Sequence, residues 1–146
     1  METSAQPITV LDESAALEFL GSQSFGRLAL VLAGRPDIFP VNFVLVERTV
    51  YLRTAEGSKL FGLAVGHPVA FEADEVHELG ATSVVVHGEP RIVTAHAEAE
   101  AADAAGLRPW VATRKVNTVA IDLTEVSGRT VLFGPEPEEA ELEPTD

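Results

Sequence analysis

Asp37-Ile-Phe-Pro-Val-Asn-Phe-Val-Leu-Val-Glu-Arg-Thr-Val-Tyr-Leu-Arg-Thr-Ala-Glu-Gly-Ser-Lys-Leu-Phe61 is the stretch whose reading decides the fold. Two runs rich in β-branched and aromatic residues, 38–46 and 49–54, flank the short charged turn Glu47-Arg48, which is the pattern of paired strands. After Ala55 the pattern changes: Gly57-Ser58-Lys59 interrupts the strand and residues 59–65 read as a helix. Unpaired N–H groups at a helix start point outward and the helix dipole adds positive potential there, so a hydroxyl and an ammonium at that corner favour an anion. Arg53 on the preceding strand offers a forked second cation. From the residues alone the corner is either a phosphate or carboxylate site or an ordinary helix cap with a solvated lysine. It is not a P-loop, since the Gly-x-x-x-x-Gly-Lys-Ser/Thr spacing is absent, and no Gly-x-Gly-x-x-Gly follows a strand.

Upstream of this stretch, residues 1–8 read as a loose leader and Asp12-Glu13-Ser14 opens a short helix with Leu17, Phe19 and Leu20 on its apolar side. A first strand is expected over 24–33, closed by the turn Gly34-Arg35-Pro36-Asp37. Run 38–46 is almost continuously apolar, which implies cover on both faces. Asn42 is its polar exception, and Pro40 marks an edge or a bulge. Pro40-Val41-Asn42 can present backbone to a flat ring, or Asn42 can simply bond to a neighbouring strand.

Downstream, Val69–Ala73 reads as a strand, and the acids Glu72, Asp74, Glu75 and Glu78 as a solvated loop or strand end. The longest strand is expected over 82–94, with Gly88-Glu89-Pro90 permitting a sharp bend. An alanine-rich acidic helix over 95–106, its polar face toward solvent, is followed by a loop carrying Trp110, the single tryptophan, either a site residue or a core plug. Strands over 116–123 and 129–133 complete the sheet. His67, His77, His87 and His96 show no helical metal spacing, so no metal is expected. No Gly-x-Ser-x-Gly elbow is present, and no catalytic side chain is assigned.

With 146 residues and 46% hydrophobic content the chain is long enough to bury one core without staples. The absence of cysteine removes disulfides, thiolate metal sites and cysteine nucleophiles. A net charge of −13 argues against nucleic acid and anionic membrane surfaces as partners. No apolar run of spanning length and no signal-peptide pattern occur, so a cytoplasmic location is expected. Six of the acids, from Glu136 to Asp146, crowd the last eleven residues. That tail, 135–146, reads as disordered, and its charge is largely screened beyond a Debye length of about 8–10 Å. Domain organisation is thus expected to be leader 1–8, one domain 9–134, and tail 135–146.

The order of these pieces resembles the FMN-binding split barrel of the pyridoxamine 5′-phosphate oxidase-like superfamily. The resemblance rests on Gly26-Arg27-Leu28-Ala29, Pro36, Pro40-Val41-Asn42, Arg53-Thr54-Ala55-Glu56-Gly57-Ser58-Lys59-Leu60 and Val69-Ala70-Phe71-Glu72-Ala73-Asp74. It continues through Ser83-Val84-Val85-Val86 with Gly88, then Pro109-Trp110, then Gly128-Arg129. It implies a mainly β fold: a six-stranded antiparallel split barrel with short flanking helices, paired as a homodimer with a flavin in each interface groove. By the same resemblance Ser58 and Lys59 hold the FMN phosphate with Arg53, and Thr54 bonds the ribityl chain or ring. Pro40, Val41 and Asn42 line the isoalloxazine edge through backbone, while Trp110 and Arg129 approach from the partner subunit. An oxidoreductase acting on a small molecule follows, with the deazaflavin F420 as alternative cofactor and a non-catalytic flavin or haem binder as alternative function. Two departures bear on the substrate. Gly80-Ala81-Thr82-Ser83 stands where members often carry Gly-Trp-Ser, and His87-Gly88 where an arginine often precedes the glycine. The C-terminal arginine- and histidine-bearing signature of true pyridoxamine 5′-phosphate oxidases is also absent, so vitamin B6 oxidation is not expected.

Overall fold

The structure is a computed structural model that describes residues 7–55, 66–107 and 116–134. Its described elements run β1 (Ile8–Leu11), α1 (Glu13–Gly21), β2 (Phe25–Leu32), β3 (Arg35–Asn42), β4 (Val44–Val46), β5 (Thr49–Ala55), β6 (Val69–His77), β7 (Gly80–Ile92), α2 (His96–Ala104) and β8 (Val116–Leu132). The strands pair antiparallel in the order β3-β2-β6-β7-β8-β5-β4, with β1 joined to β8. This is the antiparallel split barrel expected, with eight strands among the described residues where six were expected.

Alternation places one face of each strand inside. Leu28 and Leu30, Val50 and Leu52, Phe71 and Ala73, Val84 and Val86, and Val119 and Ile121 fill the barrel with at most 4% exposure each. Phe43 and Phe71 meet edge to face at 4.7 Å, the arrangement that aromatic quadrupoles favour. Helix α1 is started by Asp12, whose Oδ1 accepts from Ala15 N at 2.8 Å, and it plugs one end of the core with Ala16 and Leu20. On the outer face a second cluster, Tyr51, Ala120, Ala102 and Leu107, seats α2 against β5 and β8.

The departures from the sequence expectation have local causes. Ile8–Leu11 forms a strand where the sequence pattern marked none, because β8 offers it an edge to pair with. Run 38–46 breaks at Phe43, whose ring turns into the core, giving β3 and β4. The first hairpin turns on Ala33 and Gly34, both at positive φ (52° and 79°), a two-residue turn whose twist matches the strands. Arg35–Asp37 therefore belong to β3. The acids Glu72 and Asp74 lie on β6, opposite Arg27 and Ser83 respectively. Strand β8 is continuous where two strands were expected, because residues 125–128 stay in the ladder with β7, Gly128 lying opposite Val84. A Cβ there would come within 3.1 Å of the Ala16 methyl, so the glycine lets α1 seat on β8.

The bend expected near Gly88 is present as a register shift between His87 and Gly88 opposite β8. Pairing of β7 to β6 ends at Gly88, so Pro90 removes no hydrogen bond from that side.

Candidate functional site

Four residues on β5 set the site. Val50 and Leu52 face the core, so Tyr51 and Arg53 face outward beneath α2. The side chain of Arg53 is only 19% exposed, and its Nη2 pairs with Asp103 of α2. Its Nε is buried and has no hydrogen-bond partner among the described residues. A buried guanidinium N–H left unpaired is costly, so the Nε–Nη2 edge is a place where an anion oxygen is stabilised.

Next to it the same face carries a continuous polar network. Arg91 on β7 donates from Nη1 and Nη2 to the two oxygens of Glu98 at 2.9 and 2.7 Å, and from Nε to Asp122 at 2.6 Å. Tyr51 Oη donates to Glu98 at 2.6 Å and Thr49 Oγ1 to Asp122 at 3.1 Å. Arg91 holds the Glu98 carboxyl down to about 2, with Tyr51 assisting. It also holds Asp122 below the usual carboxylate range. Burial, then the bond to Glu98, pushes the Tyr51 phenol up. The polar side of α2 was expected to face solvent. Instead, Glu98 fastens it to the sheet, and Asp103 turns toward Arg53. Sequence reasoning missed Arg91, Glu98, Asp103 and Asp122 because their partners lie 7 to 73 positions away and no local motif marks them.

The other sequence-predicted residues fall as follows. Ser58, Lys59 and Trp110 lie outside the described residues. Thr54 sits on β5 opposite Asn117. Val41 points into the core, whereas Pro40 and Asn42 flank it on the outward side of β3, opposite Arg27 and Phe25 of β2. Arg129 is exposed on β8 and lines a shallow groove of about 310 Å³ with Val10, Ser83, Val85, Ser127 and Gly128. That volume is at the lower end for small-molecule pockets. Arg53 is paired with Thr118, eleven positions before Arg129 on the same strand, or roughly 35 Å along extended chain. One copy of the chain therefore does not bring Arg53 and Arg129 together.

The sequence profile of the family described as pyridoxamine 5′-phosphate oxidase matches residues 12–130. The chain belongs to the pyridoxamine 5′-phosphate oxidase family. The uncharacterised protein Rv3129 of Mycobacterium tuberculosis is 42% identical over 94 residues, 64% of this chain and 86% of that protein. The uncharacterised protein Rv0080 of the same organism is 35% identical over 133 residues, 86% of each. Among solved structures, the FAD binding protein of Mycobacterium smegmatis superposes with a TM-score of 0.77 at 39% identity, covering 86% of this chain and all of that one. The matched residues thus run from the cap of α1 to Thr130 in β8. None of the described helices is long and apolar enough to cross a membrane.

Proposed function

We propose that this chain is a flavin-dependent oxidoreductase acting on a small molecule, working as a homodimer with one flavin in each interface groove. The observation that carries the reading is Arg53: a largely buried guanidinium whose Nε is unpaired among the described residues, on the strand that leads directly into Gly57-Ser58-Lys59. Those residues fit a phosphate. Arg53 supplies the fork, and Ser58 and Lys59 supply a hydroxyl and an ammonium. The outward backbone of Pro40–Asn42 lines the ring edge, and Trp110 and Arg129 cover it from the second copy. The flavin itself supplies hydride chemistry when bound, and the protein need only hold the phosphate, shield a ring face and tune it by hydrogen bonds. FMN is the cofactor that the resemblance implies. FAD is the second reading, favoured by the 39% identical FAD binding protein, while F420 would ask for more basic residues around Lys59 than this acidic chain carries.

The outer face of β3, β2, β6, β7 and β8, on which no described helix packs over the rows below, supports the homodimer. Pro40, Arg27, Glu72, Val85 and Ser127 form one cross-strand row, and Ile38, Ala29, Ala70, His87 and Glu125 form the next. Ile38, Val31 and Val10 are 66%, 62% and 81% exposed on this face or its rim. Arg27 is tied to Glu72 and Asp74 at 2.6 and 2.9 Å. Two arginines, 27 and 129, against Glu72, Asp74 and Glu125 leave the face nearly balanced in a chain of −13, so a second copy meets little repulsion there.

Titrating flavin-free protein with FMN, FAD and F420, followed by fluorescence or absorbance, tests the cofactor. Arg53→Ala and Lys59→Ala are each expected to weaken flavin binding by about 1.5–3 kcal/mol, and unchanged affinity in both would refute the phosphate site. Val85→Glu should shift the sedimentation mass from dimer toward monomer; an unchanged dimer would place the interface elsewhere.

A further inference from the structure

Taking the phosphate reading of Arg53 as its starting point, we infer that Asp103 is a competing counter-ion that gates this anion subsite. The side-on edge of the guanidinium, Nε with Nη2, is the one shaped for two oxygens of a phosphate or carboxylate. In this structure Asp103 Oδ1 holds Nη2, and Nε of the same edge has no partner among the described residues. The carboxylate thus fills half of a two-point site, and a phosphate that takes both points must displace it.

Three features make Asp103 the moving part and leave α2 in place. Its side chain is 51% exposed, so it can turn into water at little cost. The helix is anchored independently, five residues earlier, by the two-pronged Arg91–Glu98 pair and the Tyr51 hydroxyl. Ala102 and Leu107 on either side of Asp103 are buried against Tyr51 and Ala120. Exchange is therefore a side-chain swing on a fixed helix. While unliganded, the guanidinium keeps a counter-ion; when a phosphate arrives, its charge is weighed against that of Asp103. Asp103 would thus tune cofactor affinity and favour ligands whose phosphate can bridge both nitrogens.

The test uses the full chain, stripped of any bound flavin, as wild type, Asp103→Asn and Glu100→Gln. Glu100 is on the same helix and pairs with His96, not with Arg53, so its variant removes one negative charge without touching the subsite. FMN is expected to bind Asp103→Asn on the order of tenfold more tightly than wild type. Riboflavin, which lacks the phosphate, should bind both equally, and Glu100→Gln should leave FMN affinity within about twofold. FMN affinity that is unchanged or weaker in Asp103→Asn, or tightening that is equal in Glu100→Gln or with riboflavin, would overturn the gate. Thermal unfolding in inorganic phosphate separates the gate from the flavin reading. If no flavin binds any of the proteins, a larger phosphate-induced rise in Tm for Asp103→Asn keeps the gate while the flavin assignment falls. An equal rise in all three removes the gate.

Discussion

Replacing Glu98 by Gln probes the clamp that holds α2 on the barrel. Glu98 receives two bonds from Arg91 and one from Tyr51, and its side chain is 25% exposed. The amide keeps the shape and loses the charge. Arg91 lowers the Glu98 carboxyl from the ordinary range to about 2. A shift of that size, taken at face value, corresponds to about 3 kcal/mol at neutral pH. Solvent and salt screen a partly exposed pair, so about 1–2 kcal/mol is expected to survive. The direction with pH follows from the depressed value. The contribution is complete above about pH 4.5 and is lost as pH falls toward 2, so by about pH 3 more than half is gone. Urea unfolding of wild type and Glu98→Gln at pH 7, 5, 4 and 3 should show a stability gap of that size at pH 7 which closes at the acid end. A gap that is absent at pH 7, or that persists undiminished at pH 3, would show that the Arg91–Glu98 charge pair does not fasten the helix.

Phe71→Ala removes a 1% exposed ring from the edge-to-face pair with Phe43 and should cost about 3–5 kcal/mol in denaturant unfolding; a loss under 1 kcal/mol would mean the barrel interior is not packed as described. Gly88→Ala would place a Cβ 2.3 Å from the Asp122 carbonyl oxygen at the bulge, and a drop of about 1–3 kcal/mol is expected, with an unchanged Tm refuting the close approach. Cutting the chain after Gly134 removes only the Pro- and Glu-rich tail and should leave Tm and flavin binding unaltered; a Tm drop of several degrees would show that the tail contributes to the fold.

The Arg91–Glu98–Asp122 network also marks where sequence reasoning stopped. Charges on α2 look solvated when the helix is read alone, since Glu98 and Asp103 acquire their partners only when β5, β7 and β8 lie side by side. Strand β1 went unnoticed for the same reason, because four residues with an exposed pattern become a strand only beside the free edge of β8. Gly128 falls between the two strands expected over 116–123 and 129–133, and in the closed fold it serves as clearance for α1 within one continuous strand.

Local chemistry did settle a good deal. The period-two alternation of β5, the charged two-residue turn at Glu47-Arg48 and the acid-capped α1 specify their own conformation, and the ordered motifs from Gly26 to Arg129 are enough to name the family. Which cations share a site is another matter. Arg53 and Arg129 both stand in motifs, yet strand geometry holds them far apart in one copy, while Asp103, in no motif at all, is delivered to Arg53 by the packing of α2. Patterns of a few residues encode backbone shape because backbone forces are short-ranged, whereas the pairing of charges across fifty positions exists only once the sheet has closed.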